Sequence, residues 1–213
     1  MKKIFQQNLL FLIPYFLFLL VAGIFLSIYS KGEAHLILNQ WRNYFLDYFF
    51  YYTTFIGDGV AVVLITILLC FIRFRYALFM GLSNIISSLI TQTLKQTFFS
   101  EYVRPKKFFE GVHQLNLVPW AENYSFYSFP SGHTTAAFAT FFCLALIVKN
   151  KMLKFFMFLI ALTVGLSRVY LSQHFLNDVY AGSLIGVTTA FIIYRIIFFS
   201  DKFINIKWRR DQL

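Results

Sequence analysis

The chain has 213 residues, of which 59% are hydrophobic and 21% aromatic but only 13% charged. A soluble domain carries roughly 45–50% apolar and about 25% charged residues, so this balance excludes an ordinary water-soluble fold and implies a membrane protein. The net charge of +10 would suggest nucleic acid in a soluble protein. Here the lysines and arginines lie between and beyond the apolar blocks, as topology signals and headgroup contacts do, and no nucleic-acid partner is expected.

Lys2 and Lys3 precede an apolar run from Leu9 to Tyr29, with Pro14 near its start. The run is long and no small-residue cleavage site follows it, so an uncleaved first span is expected rather than a signal peptide. Residues 30–52 mix Lys31, Glu33, His35, Trp41, Arg42 and Asp47 with aromatics, which reads as an interfacial helix at headgroup depth. His35 has no acidic or metal-ligand neighbour at a useful spacing and reads as a surface histidine. Residues 53–72 form a second span, entered through Gly57-Asp58-Gly59, read as a functional turn in preference to a helix start.

Arg73 and Arg75 link to a third span over residues 76–93, whose Ser83, Asn84, Ser87, Ser88, Thr91 and Gln92 suit helix packing in lipid. It runs into Lys95 and Arg104-Pro105. Residues 106–129 form the longest soluble stretch, expected to lie on the membrane surface beside a site; His113 within it reads as structural. A fourth span over 134–148 opens with Pro130-Ser131-Gly132-His133. Lys149, Lys151 and Lys154 mark the next turn. A fifth span, 155–171, and a sixth, 179–199, enclose Ser167-Arg168, His174 and Asp178, and a tail follows with Lys202, Lys207, Arg209 and Arg210. Cys70 and Cys143 fall inside apolar blocks and read as buried small hydrophobes.

The expected fold is therefore all-α, a single domain over residues 1–213 with six transmembrane helices. Basic clusters at both ends, at Arg73 and Arg75, and at 149–154 put both termini in the cytoplasm. That topology carries Lys95–Pro105, Pro130–His133 and Arg168–His174 to one outer face.

Chemistry concentrates in those stretches. Arg168, His174 and Asp178 are costly in a bilayer and call for partners or a purpose. His174 and Asp178 are four apart, so one helix would stack them and let the carboxylate orient the imidazole. A guanidinium such as that of Arg168 matches phosphate oxygens with paired hydrogen bonds. Alone, the cluster is equally compatible with a structural ion pair. Pro130-Ser131-Gly132-His133 starts a helix, whose free N–H groups and dipole favour a phosphate, with Ser131 able to cap and to donate and His133 at the edge able to protonate a leaving oxygen. Alone, it could be a proline-led cap, and Lys95 and Arg104 could be interfacial anchors.

Together, the three stretches resemble the type 2 phosphatidic acid phosphatase family, membrane relatives of the vanadium haloperoxidases and glucose-6-phosphatase. The family's second motif, Pro-Ser-Gly-His, stands unchanged at 130–133. Its third motif, Ser-Arg, five residues, His, three residues, Asp, is met by Ser167, Arg168, His174 and Asp178. The first departs: the family places six residues between its lysine and Arg-Pro, whereas Lys95 and Arg104 enclose eight, a surplus expected to bulge or lengthen the helix end over residues 98–103. The motif-bearing core spans 95–178.

The resemblance implies that His174 attacks phosphorus, that Asp178 fixes its tautomer, and that His133 protonates the leaving group and then activates water. Lys95, Arg104, Arg168, Ser131 and the Gly132 amide would hold the phosphoryl oxygens. It implies no metal or other cofactor. The expected activity is a lipid phosphatase at the outer face of a bacterial inner membrane. Undecaprenyl diphosphate, phosphatidic acid, phosphatidylglycerol phosphate and the phosphates of lipid A are the candidate substrates. A lipid phosphotransferase using the same intermediate is the alternative. A transporter with a phosphate site fits less well, because the polar residues gather at one face and not at mid-bilayer. Chain-length preference and oligomeric state are not encoded legibly.

Overall fold

The computed structural model describes residues 2–199, so the basic tail from Lys202 to Arg210 lies outside the described residues. Among the described residues every regular element is helical. A short α1 (Lys2–Gln7) leads into α2 (Leu9–Ile28), α3 (Lys31–Asn39) and α4 (Tyr44–Thr54). Then come α5 (Gly59–Ile72), α6 (Phe74–Thr93), a π-helical turn (Leu94–Phe98) and the single turn α7 (Pro105–Phe108). The last three, α8 (Gly132–Ile147), α9 (Lys151–Tyr170) and α10 (Leu176–Phe199), follow a long loop.

Four of these helices are long and apolar enough to cross a membrane: Leu9–Ile28, Phe74–Phe98 (with its π-helical turn), Lys151–Tyr170 and Leu176–Phe199. A fifth span is reached if Tyr44–Gly57 and Gly59–Ile72, bent by 53°, count as one. The expected entry at residue 53 therefore shifts. The aromatic helix α4 comes first, and the Gly57–Gly59 turn breaks it from α5, as the glycine pair suggested. Close packing explains the glycine, since a Cβ on Gly57 would stand 2.5 Å from Val164 Cγ1 and 3.0 Å from the His133 carbonyl oxygen. The turn is thus pressed against the start of α8.

α8 has 16 residues, short for a bilayer core of about 30 Å at 1.5 Å per residue. It is the most enclosed helix, packed against α6, α9 and α10, with Ala137, Phe138, Ala139, Phe142 and Cys143 buried. Its approach to α10 is close because α10 offers Gly182 and Gly186 four apart on one face, a small-residue spacing suited to helices in lipid. A Cβ on Gly186 would come within 2.5 Å of the Thr135 carbonyl oxygen. That contact sets the distance between the two helices whose first turns carry His133 and Asp178.

The structure corrects several expectations away from the site. Pro14 is the sixth residue of α2, inside the helix, where it removes one backbone hydrogen bond. Cys70 is exposed on α5, and only Cys143 is buried. Lys154 belongs to the first turn of α9 and not to the connecting turn; it is buried and donates to Asn8 Oδ1 at 2.7 Å, tying α9 to the start of α2.

Candidate active site

The start of α10 organises the site. Asp178 sits in the first turn and is almost fully buried. Its Oδ2 accepts from the Phe175 N–H at 3.0 Å and from the Ser128 hydroxyl, and lies 3.2 Å from His174 Nδ1. A carboxylate already fixed by two donors takes the Nδ1–H of the imidazole and leaves Nε2 with its lone pair. His174 is not on the helix, as stacking four apart had suggested; it precedes α10, in the turn after α9. The contact forms because Asp178 reaches back toward that turn, as a helix N3 acid does in a capping box. The His174 N–H closes the turn by donating to the Arg168 carbonyl oxygen at 3.1 Å.

The start of α8 is tied to this one directly, because the Ser131 N–H donates to the Asp178 carbonyl oxygen at 3.0 Å. Ser131 caps α8, its Oγ accepting from the Thr134 N–H and from Thr134 Oγ1. The Ser131 proton is left to be donated elsewhere. A Cβ on Gly132 would meet nothing within 4 Å, so open space adjoins the backbone there. His133 is half-buried, and its ring has no hydrogen-bond partner among the described residues.

Three cations converge on the same place. Arg168, near the end of α9, is 6% exposed; its Nη1 donates to Thr54 Oγ1 at 2.6 Å, and its buried Nε has no partner among the described residues. Arg104 donates through Nε to the Phe126 carbonyl oxygen at 2.9 Å and through Nη1 to both oxygens of Gln173 at 3.2 Å. The Tyr124 ring lies 5.2 Å from its guanidinium. Burial lowers the Arg104 proton affinity, and Asp178 opposes that. Lys95 is buried within the π-helical turn, where the Phe99 N–H reaches back five residues to the Leu94 carbonyl oxygen at 3.0 Å. The helix thus continues as a π turn from Leu94 to Phe98, a wider turn that carries Lys95 itself.

His174 feels all of these groups. Burial first, then Arg104, Lys95, Arg168 and His133, hold its imidazole well below the usual histidine range. It is therefore neutral at ordinary pH, with Nε2 available. Beside it, a cavity of about 370 Å³ is lined by Tyr51, Thr54, Asp58, Trp120, His133 and Arg168 among others. The loop ahead of α8 covers the site, as its length suggested: Trp120 stacks on Tyr48 at 4.8 Å, and Tyr124 donates to Glu122 at 2.6 Å.

Every residue singled out from the sequence as a site candidate is brought into this region. Sequence reading missed Ser128, Thr54 and Gln173, while Asp58, in the turn it had favoured, lines the cavity. Ser128 lies two residues before an obvious motif; Thr54 carries no signal of its own. His35, taken for a surface residue, is 1% exposed and bonded to Ser172 Oγ at 3.1 Å. Among the described residues no group of three or more His, Cys, Asp or Glu is arranged to hold a metal ion.

Residues 74–202 match the profile of the PAP2 superfamily. The chain is 26% identical over 180 residues to a lipid A 4'-phosphatase of Porphyromonas gingivalis, covering 80% of this chain and 74% of that protein. It is 27% identical over 128 residues to the undecaprenyl-diphosphatase BcrC of Bacillus subtilis, covering 60% of this chain and 59% of that one. The chain thus spans about three quarters of the first relative and under two thirds of the second. Among solved structures, LpxE of Aquifex aeolicus superposes with a TM-score of 0.67 at 27% identity, over 76% of this chain and 92% of that one. A transmembrane PAP2-type phosphatidylglycerolphosphate phosphatase from Bacillus subtilis superposes at 0.62 with 24% identity, over 85% and 92%. With this transmembrane fold and its long apolar helices, the chain is an integral membrane protein.

Proposed function

Because the chain belongs to the PAP2 superfamily, we propose that it is a lipid phosphatase working through a phosphohistidine on His174. The observation that carries this reading is the buried His174–Asp178 pair at 3.2 Å, with Lys95, Arg104 and Arg168 close enough for their charges to act on the imidazole.

The steps follow from that geometry. Lys95, Arg104, Arg168, the Ser131 hydroxyl and the Gly132 N–H hold the phosphoryl oxygens and balance their charge as the transition state forms. His174 Nε2 attacks phosphorus; the N–P bond forms as the P–O bond to the lipid breaks. His133, which takes up a proton once the negative phosphate lies beside it, gives that proton to the departing oxygen. Asp178 keeps the Nδ1–H and stabilises the positive charge on the ring. A water then attacks phosphorus, His133 takes its proton, the N–P bond breaks and phosphate leaves. His133 is suited to this exchange because it lines the cavity and is not fixed by another side chain.

The substrate is a lipid phosphate or diphosphate whose tail stays in the bilayer. The relatives named above act on lipid A, undecaprenyl diphosphate and phosphatidylglycerolphosphate, which supports the same range here. Six spans with both termini cytoplasmic, α8 and the bent α4–α5 pair included, would set the site at the outer face of a bacterial inner membrane.

Phosphate release by detergent-purified protein tests this, with EDTA present, over undecaprenyl diphosphate, phosphatidic acid, phosphatidylglycerol phosphate and lipid A. Release from at least one lipid, lost in His174→Ala, is expected. A strict need for added metal, or a variant that works normally, would sink the mechanism. A phosphorylated acceptor in place of free phosphate would make the protein a phosphotransferase.

A further inference from the structure

We infer that His35 and Asn39 of α3 are positioning residues that hold His174 in its reactive place by gripping Ser172. The inference rests on the reading of His174 as the nucleophile. Neither residue lines the cavity beside the motifs, and the phosphoryl chemistry above uses neither.

Ser172 has φ of +52°, a left-handed conformation that favours glycine and is unusual for a serine. It stands two residues before His174, in the turn that places the imidazole. Two side chains from α3 hold it. His35 Nε2 lies 3.1 Å from Ser172 Oγ, and Asn39 Nδ2 donates to the same oxygen at 3.4 Å. Asn39 is itself fixed by the covering loop: it donates to the Asn116 carbonyl oxygen at 3.0 Å, and its Oδ1 accepts from the Asn116 N–H at 2.9 Å.

The His35 ring grips the other side of the turn as well. It packs edge-on to Phe175, the residue after His174, with centroids 5.4 Å apart, and stacks on Phe109 at 5.9 Å. Residues on both sides of His174 thus bear on one buried ring of α3. His35 Nδ1 is buried without a partner, so the bond between Nε2 and Ser172 Oγ is the ring's one hydrogen bond among the described residues. α3 is locked in turn by a capping box between Ser30 and Glu33. A helix that sequence reads as a mere interfacial segment therefore braces the catalytic turn, as outer partners brace ligating histidines elsewhere.

The test is a double-mutant cycle on the full chain in detergent, with dioctanoyl phosphatidic acid as the probe and His174→Ala as control. His35→Phe should lower kcat about 10- to 100-fold, the cost of a misplaced reacting group, with KM changed by no more than about threefold. His35→Gln, whose amide can still hydrogen-bond Ser172 in either direction, should recover most of that loss. In a Ser172→Gly background, where left-handed φ needs no brace, the His35→Phe penalty should shrink to about threefold or less. An equal penalty in both backgrounds, or one that falls on KM alone, would overturn the inference. Should His35→Phe not fold, Asn39→Ala in the same two backgrounds gives the same comparison. An active His174→Ala would remove both readings; an inactive one without coupling would remove this one alone.

Discussion

His133 and His174 stand at the starts of neighbouring helices, joined by one backbone hydrogen bond, and share the same cations, yet they are held differently. His174 is 1% exposed, paired with Asp178 and fixed by its own turn. His133 is half-buried, faces a cavity and has no ring partner among the described residues. A nucleophile must present one nitrogen in one tautomer, which calls for a carboxylate and close packing. An acid–base group must take protons from water and give them to a leaving oxygen, which calls for access. The two environments match the two proposed roles, and exchanging the roles would fit neither.

The largest break in that contrast is His174→Ala, which should cut turnover by about 10⁴-fold or more, as loss of a nucleophile does, for every substrate alike. Initial rates on a lipid phosphate and on p-nitrophenyl phosphate check it; a loss confined to one of them would contradict it. His133→Ala should cost at least about 10²-fold on a lipid phosphate but distinctly less on p-nitrophenyl phosphate, whose phenolate leaves without a proton. Equal losses on the two would count against the acid role.

A third histidine sharpens the comparison through stability. Burial pushes His35 down from 6.5 to about 4 in the folded protein. Above about pH 6.5 both folded and unfolded forms are neutral, and the packing is fully felt. As pH falls toward 4 the unfolded chain takes up a proton that the folded one refuses, so stability drops by up to about 3 kcal/mol. Melting curves in detergent across pH 7 to 4 should show this fall, and His35→Phe should flatten it; an unchanged slope in the variant would refute the assignment.

The smallest effect concerns the scaffold that sets the two helix starts. Gly186→Val forces a side chain onto the Thr135 carbonyl oxygen and should cost about 1–3 kcal/mol, moving Ser131 relative to Asp178. Gly59→Ala meets nothing within 4 Å and should cost far less. Melting temperatures of the pair decide it; similar losses would mean that the α8–α10 approach is not what the glycine serves.

The motifs were legible because side chains that a bilayer penalises stand out against an apolar chain. Charge placement then carried Arg104, His133, Arg168 and His174 to one end before any geometry was known. The role of Gly182 and Gly186 was not read from the sequence and emerged only from the packing. What could not be read was long-range. His35 has its partner 137 residues away at Ser172, and Arg168 meets Thr54 across 114 residues, so neither leaves a local pattern. Local conformation misled once more. Four-residue spacing implied a shared helix for His174 and Asp178, whereas a turn and a back-reaching carboxylate give the same contact. The π turn that begins at Leu94 and carries Lys95 left no signal of its own.

The most direct test of the central claim is to trap the phosphoenzyme. Protein mixed with p-nitrophenyl phosphate and quenched in alkaline detergent, under which phosphohistidine survives, would be mapped by mass spectrometry. The account predicts phosphate on His174 alone, absent from His174→Ala and accumulating in His133→Ala, where water is no longer activated. Phosphate on another residue, or steady turnover with no phosphoenzyme in any variant, would contradict it.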